Sequence, residues 1–272
     1  MYNKNTKILV TGGAGFVGTN FINDLLNRGH NPDSIALIDN MEHGTYISKV
    51  HSQIKNFYRV DIRNQYVETI IQEFAPDYVY HFAGLVSIYD CHENVYEAVL
   101  AESYSRTKGL NYTALRYFNV AGPLQDYERT IPPVFAGFIL RIMGERNPIV
   151  FGDYMKARDY IDVSDVNAFH ILCMENEDTT NQTFNLGTGK MTNLMDLKNM
   201  IADIMDVKVD FDHYDAIAGE ALNSYGDISK AKSMGWEPKK DITDTIKETI
   251  VYLENEVSEG NINPFTFMED LE

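Results

Sequence analysis

A chain of 272 residues with 44% hydrophobic content can bury one large α/β core, or a main domain with a smaller lobe. Its 23 basic and 40 acidic residues leave a formal charge of -17. That charge argues against nucleic acid and anionic membrane as partners, but not against a phosphate held by local N–H groups and a few arginines. Cys91 and Cys173 have neither metal-ligand nor CxxC spacing, and no apolar run reaches the length of a signal or a membrane span. A reduced, cytoplasmic setting without a metal site is therefore expected.

The apolar run Ile8-Leu9-Val10 feeds the turn Thr11-Gly12-Gly13-Ala14-Gly15-Phe16-Val17-Gly18, and Phe21, Ile22, Leu25 and Leu26 follow at helical spacing. This reads as strand, tight turn and helix. Gly12, Gly15 and Gly18 let backbone N–H groups approach a phosphate at a helix N-terminus, and Gly18 lets the helix pack close to the strand. A second short strand, Ser34 to Asp39, ends in a carboxylate 21 positions after Gly18, where a ribose-binding acid belongs. The βαβ unit over 7–39 therefore predicts a dinucleotide site. Asp39 favours NAD over NADP, because an acid suits a ribose diol and not a 2′-phosphate. The plain alternative is a structural turn with a solvated Asp39.

A third strand is expected over 57–61, closed by Asp61, then a helix over 64–74 with Val67, Ile70, Ile71 and Phe74 on one face. A fourth strand follows over 78–84, a helix over 94–108 and a buried strand over 112–118. Strands alternating with helices predict a doubly wound parallel sheet with right-handed crossovers. From Asn119 the texture changes: Pro123, Pro132 and Pro133 mark loops before a helix over 134–144, a strand over 148–151 and a helix over 164–176. A strand over 183–186 leads into Gly187-Thr188-Gly189. Helices over 195–205 and 240–257 complete the chain, with Asp241 or Thr243 as N-cap of the last and a tail, 261–272, that docks loosely or frays. The expected organisation is a dinucleotide-binding domain over 1–120 and a mainly substrate-binding lobe over 121–272, interleaved with a returning strand near 160–190.

These motifs, taken in order, resemble the extended short-chain dehydrogenase/reductases, specifically the NAD-dependent sugar-nucleotide epimerases and dehydratases. The resemblance runs along almost the whole chain. It includes the glycine loop, Asp39-Asn40, Asp61-Ile62, His81-Phe82-Ala83-Gly84, Leu115-Arg116-Tyr117-Phe118-Asn119-Val120-Ala121-Gly122-Pro123, Phe151-Gly152-Asp153, Arg158 to Val166, Asn185 to Gly189, Asp227 to Ala231, and Gly235-Trp236-Glu237-Pro238. It implies that Gly12, Gly15, Phe16, Val17, Gly18, Asp39, Asn40, Asp61, Ile62, Phe82, Ala83 and Gly84 surround NAD. It also implies that Asn119 lies near a nucleotide-sugar and that Arg158 holds its pyrophosphate. His81 is read as scaffold beside the cofactor. The implied substrate is a UDP-hexose, epimerised at C4 through transient oxidation, and a homodimer is the implied assembly.

One departure bears on turnover. The family's chemistry uses Tyr-x-x-x-Lys with a nearby Ser or Thr; the lysine lowers the phenol pKa so that it can accept a hydroxyl proton. Only 31 residues separate Gly84 from Arg116, and a further strand-and-helix repeat would need on the order of 30 more. A block is therefore inferred to be missing within 90–103, with one βα unit shortened or lost and the strand over 112–118 free to take the vacated sheet position. The one remaining pair is Tyr104 and Lys108, which lie on one helix face but directly before Gly109. A second departure is Ile217, Ala218 and Asn223 around Gly219-Glu220, where relatives carry arginines. The alternative function is a catalytically impaired protein of the same fold that binds NAD(H) and a nucleotide-sugar.

Overall fold

β1 (Ile8–Thr11) and β2 (Ile35–Asp39) are buried along their whole length, as their apolar runs require of strands covered on both faces. β3 (Asn56–Arg59) and β4 (Tyr78–His81) flank them in a sheet of order β3-β2-β1-β4, parallel throughout. The register places Ile8 beside both Ile35 and Tyr78. Side chains alternate between the faces. Ile8, Val10, Ile35 and Leu37 pack with Phe21, Ile22 and Leu25 of helix α1 (Phe16–Asn27), whereas Leu9, Ala36 and Ile38 pack with Val67, Ile70 and Phe74 of α2 (Tyr66–Phe74). This is an α/β fold of the Rossmann type. The computed structural model describes residues 2–42, 51–84, 111–129, 131–217 and 220–268.

The chain forms two compact units. Unit 1 comprises Met1–Leu115 and Asn167–Phe184, and unit 2 comprises Arg116–Val166 and Asn185–Glu272. β5 (Thr113–Tyr117) pairs with β10 (Gln182–Leu186). In unit 2, β6 (Asn119–Ala121) runs parallel to β9 (Tyr160–Asp162), and β7 (Ile149–Phe151) parallel to β12 (Asp212–Tyr214). The two-residue β8 (Ala157–Arg158) lies between β11 (Thr192–Asn193) and β13 (Asn223–Ser224). The remaining helices are α3 (Val134–Met143), α4 (Val163–Glu175), α5 (Leu194–Ile204), α6 (Ser229–Ser233) and α7 (Ile242–Ser258). Among the described residues, no helix is long and apolar enough to cross a membrane.

Several expected boundaries move. The third strand stops at Arg59, which leaves Asp61 in the following turn, where its carboxylate binds Arg63. The fourth stops at His81, because Phe82 N still donates to Thr11 O at 2.9 Å but the chain then crosses over Gly12. The strand over 112–118 forms, and among the described residues it pairs with β10 and not with β4. The short strands β6, β8, β11, β12 and β13 and the short helix α6 are additions. The tail docks up to Met268: Arg146 Nη2 donates to the carbonyls of Pro264 and Phe267, and Pro264 is buried. The last helix opens as expected, with the Asp241 side chain accepting from Thr243 N at 2.9 Å. The helix expected over 94–108 lies outside the described residues.

Candidate functional site

In unit 1 the glycine loop is fixed by close backbone approach. Gly12 has φ +66°, and a Cβ there would stand 2.5 Å from Ala83 N, so β4's exit leaves no room for a side chain. Gly12 N donates to Ile38 O at 2.8 Å, and Gly15 N donates to Gly12 O at 3.2 Å. A Cβ at Gly18 would fall 2.4 Å from Gly12 O; the first turn of α1 therefore lies directly against the loop. Gly15 caps α1 without a side-chain bond, and no acidic residue occupies the first turn. The opening N–H groups of the helix, at Phe16, Val17 and Gly18, have no intrahelical acceptor, and their dipole is not offset within that turn. Such a cradle fits a diphosphate.

Asp39 is only 8% exposed and ties this loop to β2. Its Oδ2 accepts from Ala14 N at 2.9 Å and its Oδ1 from Met41 N at 2.8 Å. Each oxygen keeps a further lone pair, so the carboxylate arrives pre-oriented for a diol. The flanking residues divide. Ala83 rests on Gly12, and Phe82 packs its ring on Phe21 and His170, with centroids 5.8 and 5.0 Å apart. His81 Nδ1 lies 2.7 Å from Thr11 Oγ1, while Gly84 is exposed. Ile62 packs on the α2 side of the sheet. Asn40 turns outward to Glu42, with Nδ2 to Oε2 at 3.0 Å. The side-chain hydrogen bond from Arg63, reinforced by its backbone N–H, holds the Asp61 carboxyl down at about 2.

In unit 2, Asn119 meets the backbone of Asp159, and the Arg158 side chain turns to Glu220 and Leu222. Asn119 donates to Asp159 O through its backbone N at 2.9 Å and through Nδ2 at 3.2 Å. Asp159 itself is fully buried. Its carboxylate accepts from Thr188 N at 2.7 Å, Thr188 Oγ1 at 2.6 Å, Gly189 N at 2.9 Å and Gly226 N at 3.4 Å. The Gly187-Thr188-Gly189 turn is thus a socket for an internal acid. Arg158 reaches Leu222 O at 2.9 Å and Glu220 Oε1 at 3.0 Å, and Lys156 Nζ reaches Glu220 Oε2 at 2.7 Å. Lys156 carries no motif, and the pairing of Lys156 with Glu220 is revealed only by the fold: 64 positions separate two side chains that touch. Tyr104 and Lys108 lie outside the described residues. Gly12, Gly15, Gly18, Asp39 and Ala83 are brought together in unit 1; in unit 2, Asn119 is bonded to the Asp159 backbone and Arg158 to Glu220; Asp61 is turned to Arg63 and Asn40 to Glu42.

The chain is similar to known proteins. The NAD dependent epimerase/dehydratase family matches residues 8–99 and 86–187. A protein of Methanocaldococcus jannaschii, provisionally named a UDP-glucose 4-epimerase, is 25% identical over 309 aligned residues, covering 91% of this chain and 98% of its own. The crystal structure of a UDP-glucose 4-epimerase from Thermotoga maritima with UDP-glucose superposes with a TM-score of 0.84 at 26% identity, covering 93% of this chain and 100% of that one. A UDP-glucose 4-epimerase from Stenotrophomonas maltophila with bound NAD and formylated UDP-arabinopyranose shares the fold, with a TM-score of 0.81 at 22% identity over 93% of this chain and 99% of its own. The family match spans both the glycine loop and the Arg158 segment, so the chain belongs to the NAD dependent epimerase/dehydratase family.

Proposed function

We propose that this chain binds NAD on the loop Gly12 to Gly18, binds a UDP-hexose through Asn119 and Arg158, and epimerises that sugar at C4 by transient oxidation. The observation that carries the reading is the loop itself. Its glycines are enforced by contacts of 2.4 and 2.5 Å, and its neighbouring carboxylate is already aimed. Bound there, NAD supplies a reversible hydride acceptor. The N–H groups opening α1 offset the charge of a diphosphate, and Asp39 accepts ribose hydroxyls and repels a 2′-phosphate. Arg158 offers its guanidinium to the substrate diphosphate. The proton at the reacting hydroxyl falls to Tyr104, with Lys108 four positions on stabilising the phenolate.

A second reading keeps both binding sites without turnover. Two observations favour it. Only 31 residues lie between Gly84 and Arg116. In addition, the 309 aligned positions of the M. jannaschii relative exceed the 272 residues available, so part of that relative has no counterpart here.

Incubation with NAD and UDP-galactose separates the readings, with UDP-glucose formation and reduced-nicotinamide absorbance followed together. Turnover that disappears in Tyr104→Phe supports the epimerase. Tight NAD binding without turnover on UDP- and GDP-sugars supports the binding protein. Weak NAD binding that Asp39→Ala leaves unchanged removes both.

A further inference from the structure

Lys156 and Arg158 lie two positions apart on one extended segment and therefore share a face, where they close on the same carboxylate. Lys156 Nζ is 2.7 Å from Glu220 Oε2, and Arg158 Nη2 is 3.0 Å from Glu220 Oε1. Both cations are also anchored independently of Glu220. Lys156 donates to Phe151 O at 2.6 Å, and Arg158 donates to Ala157 O at 3.0 Å and Leu222 O at 2.9 Å. The side chains of Lys156 and Arg158 are 10% and 13% exposed, whereas that of Glu220 is 26% exposed. The anion is thus the most accessible member of the trio.

We propose that Glu220 is an internal counter-ion that a nucleotide diphosphate displaces, and that Lys156 is the second cation of the diphosphate site. The proposal rests on the reading of Arg158 as the diphosphate ligand. Two cations left buried without an anion would be costly, so Glu220 keeps them desolvated and in position. A diphosphate diester carries two charges and matches both cations only once the carboxylate has left. Binding is therefore an exchange of one charge-assisted pair of bonds for another, and the carboxylate lowers the affinity it prepares for.

The test is calorimetric titration of the full chain with UDP and, separately, with uridine, which lacks phosphates. Glu220→Gln keeps shape and one acceptor but removes the charge; it should bind UDP about tenfold more tightly and uridine unchanged. Lys156→Gln should bind UDP about tenfold more weakly, again with uridine unchanged. NAD titration and Trp236 emission check that each variant is folded. If Arg158→Gln loses UDP while Glu220→Gln binds it no better than wild type, the exchange is refuted and the substrate reading stands. Unchanged UDP affinity in Lys156→Gln refutes the second-cation role in the same way. If UDP binding is absent from wild type and Glu220→Gln alike, or indifferent to Arg158→Gln, both this proposal and the substrate reading fall.

Discussion

Replacing His170 by phenylalanine removes the one imidazole from an aromatic cluster in unit 1. The ring is fully buried, with its centroid 5.2 Å from Phe21, 5.7 Å from Tyr80 and 5.0 Å from Phe82. Burial penalises the imidazolium and holds the group down at about 3, against an ordinary 6.5. The unfolded chain takes up this proton as pH falls through about 6.5, whereas the folded chain resists until about 3. Across that window the unfolded state binds more protons, so the contribution is fully present above 6.5 and is lost on acidification. Between pH 8 and pH 5 the loss from this residue is about 2 kcal/mol, from 1.36 kcal/mol for each of roughly 1.5 pH units. Phenylalanine keeps the ring packing but forfeits the contact of His170 Nδ1 with Asn167 Oδ1 at 3.3 Å, at a pH-independent cost of about 1 kcal/mol. Urea unfolding followed by far-UV ellipticity at pH 8, 7, 6 and 5 measures both terms. The variant should start less stable and gain about 2 kcal/mol on wild type by pH 5. Shared carboxylates and the other histidines cancel in that difference. Curves that fall in parallel would refute the assignment of this pH dependence to His170.

Three further outcomes follow from contacts described above. Gly18→Ala puts a Cβ 2.4 Å from Gly12 O, and the resulting strain of about 1–3 kcal/mol should weaken NAD binding by at least about tenfold in calorimetry. Asp159→Asn cannot serve four donors as an acceptor-only carboxylate does, and should destabilise unit 2 by about 2–4 kcal/mol, read from the single tryptophan, Trp236, on chemical denaturation. Asp241→Ala removes the N-cap of α7 at a cost of about 1 kcal/mol, measurable as a lowered thermal midpoint with no change in NAD affinity.

Unit 1 is readable in the sequence because its signals are local. Ile8 to Val10 and Ile35 to Ile38 are continuous apolar runs, and a parallel sheet covered on both faces buries such runs completely. The glycine spacing also states its own reason, since Gly12 and Gly18 stand where a Cβ would strike backbone. Unit 2 was less legible. β8, β11 and β13 are two residues each, too short for any periodicity, and their pairing is set by partners 34 to 66 positions away. Arg158 is legible from its motif, but its pairing with Glu220 and the neighbouring role of Lys156 are not, because ion pairs across such separations leave no pattern. The tail reads as an acidic segment with Phe265 and Phe267; what docks it is a guanidinium at Arg146 reading backbone carbonyls, which no side-chain pattern encodes.

Asp159 also constrains the order in which the chain can mature. Its four donors come from residues 188, 189 and 226, so a nascent chain that has emerged only through the Gly187-Thr188-Gly189 turn still lacks one of them. Until Gly226 arrives, the acid destined for the centre of unit 2 is incompletely sheltered, and collapse around it is penalised. Unit 1 also waits: its final segment ends at Phe184, well after the glycine loop has been made. Synthesis from the N-terminus therefore delivers the loop early and the segment that completes its unit late, so the strands of unit 1 acquire their full set of native contacts only after residue 184 has been made.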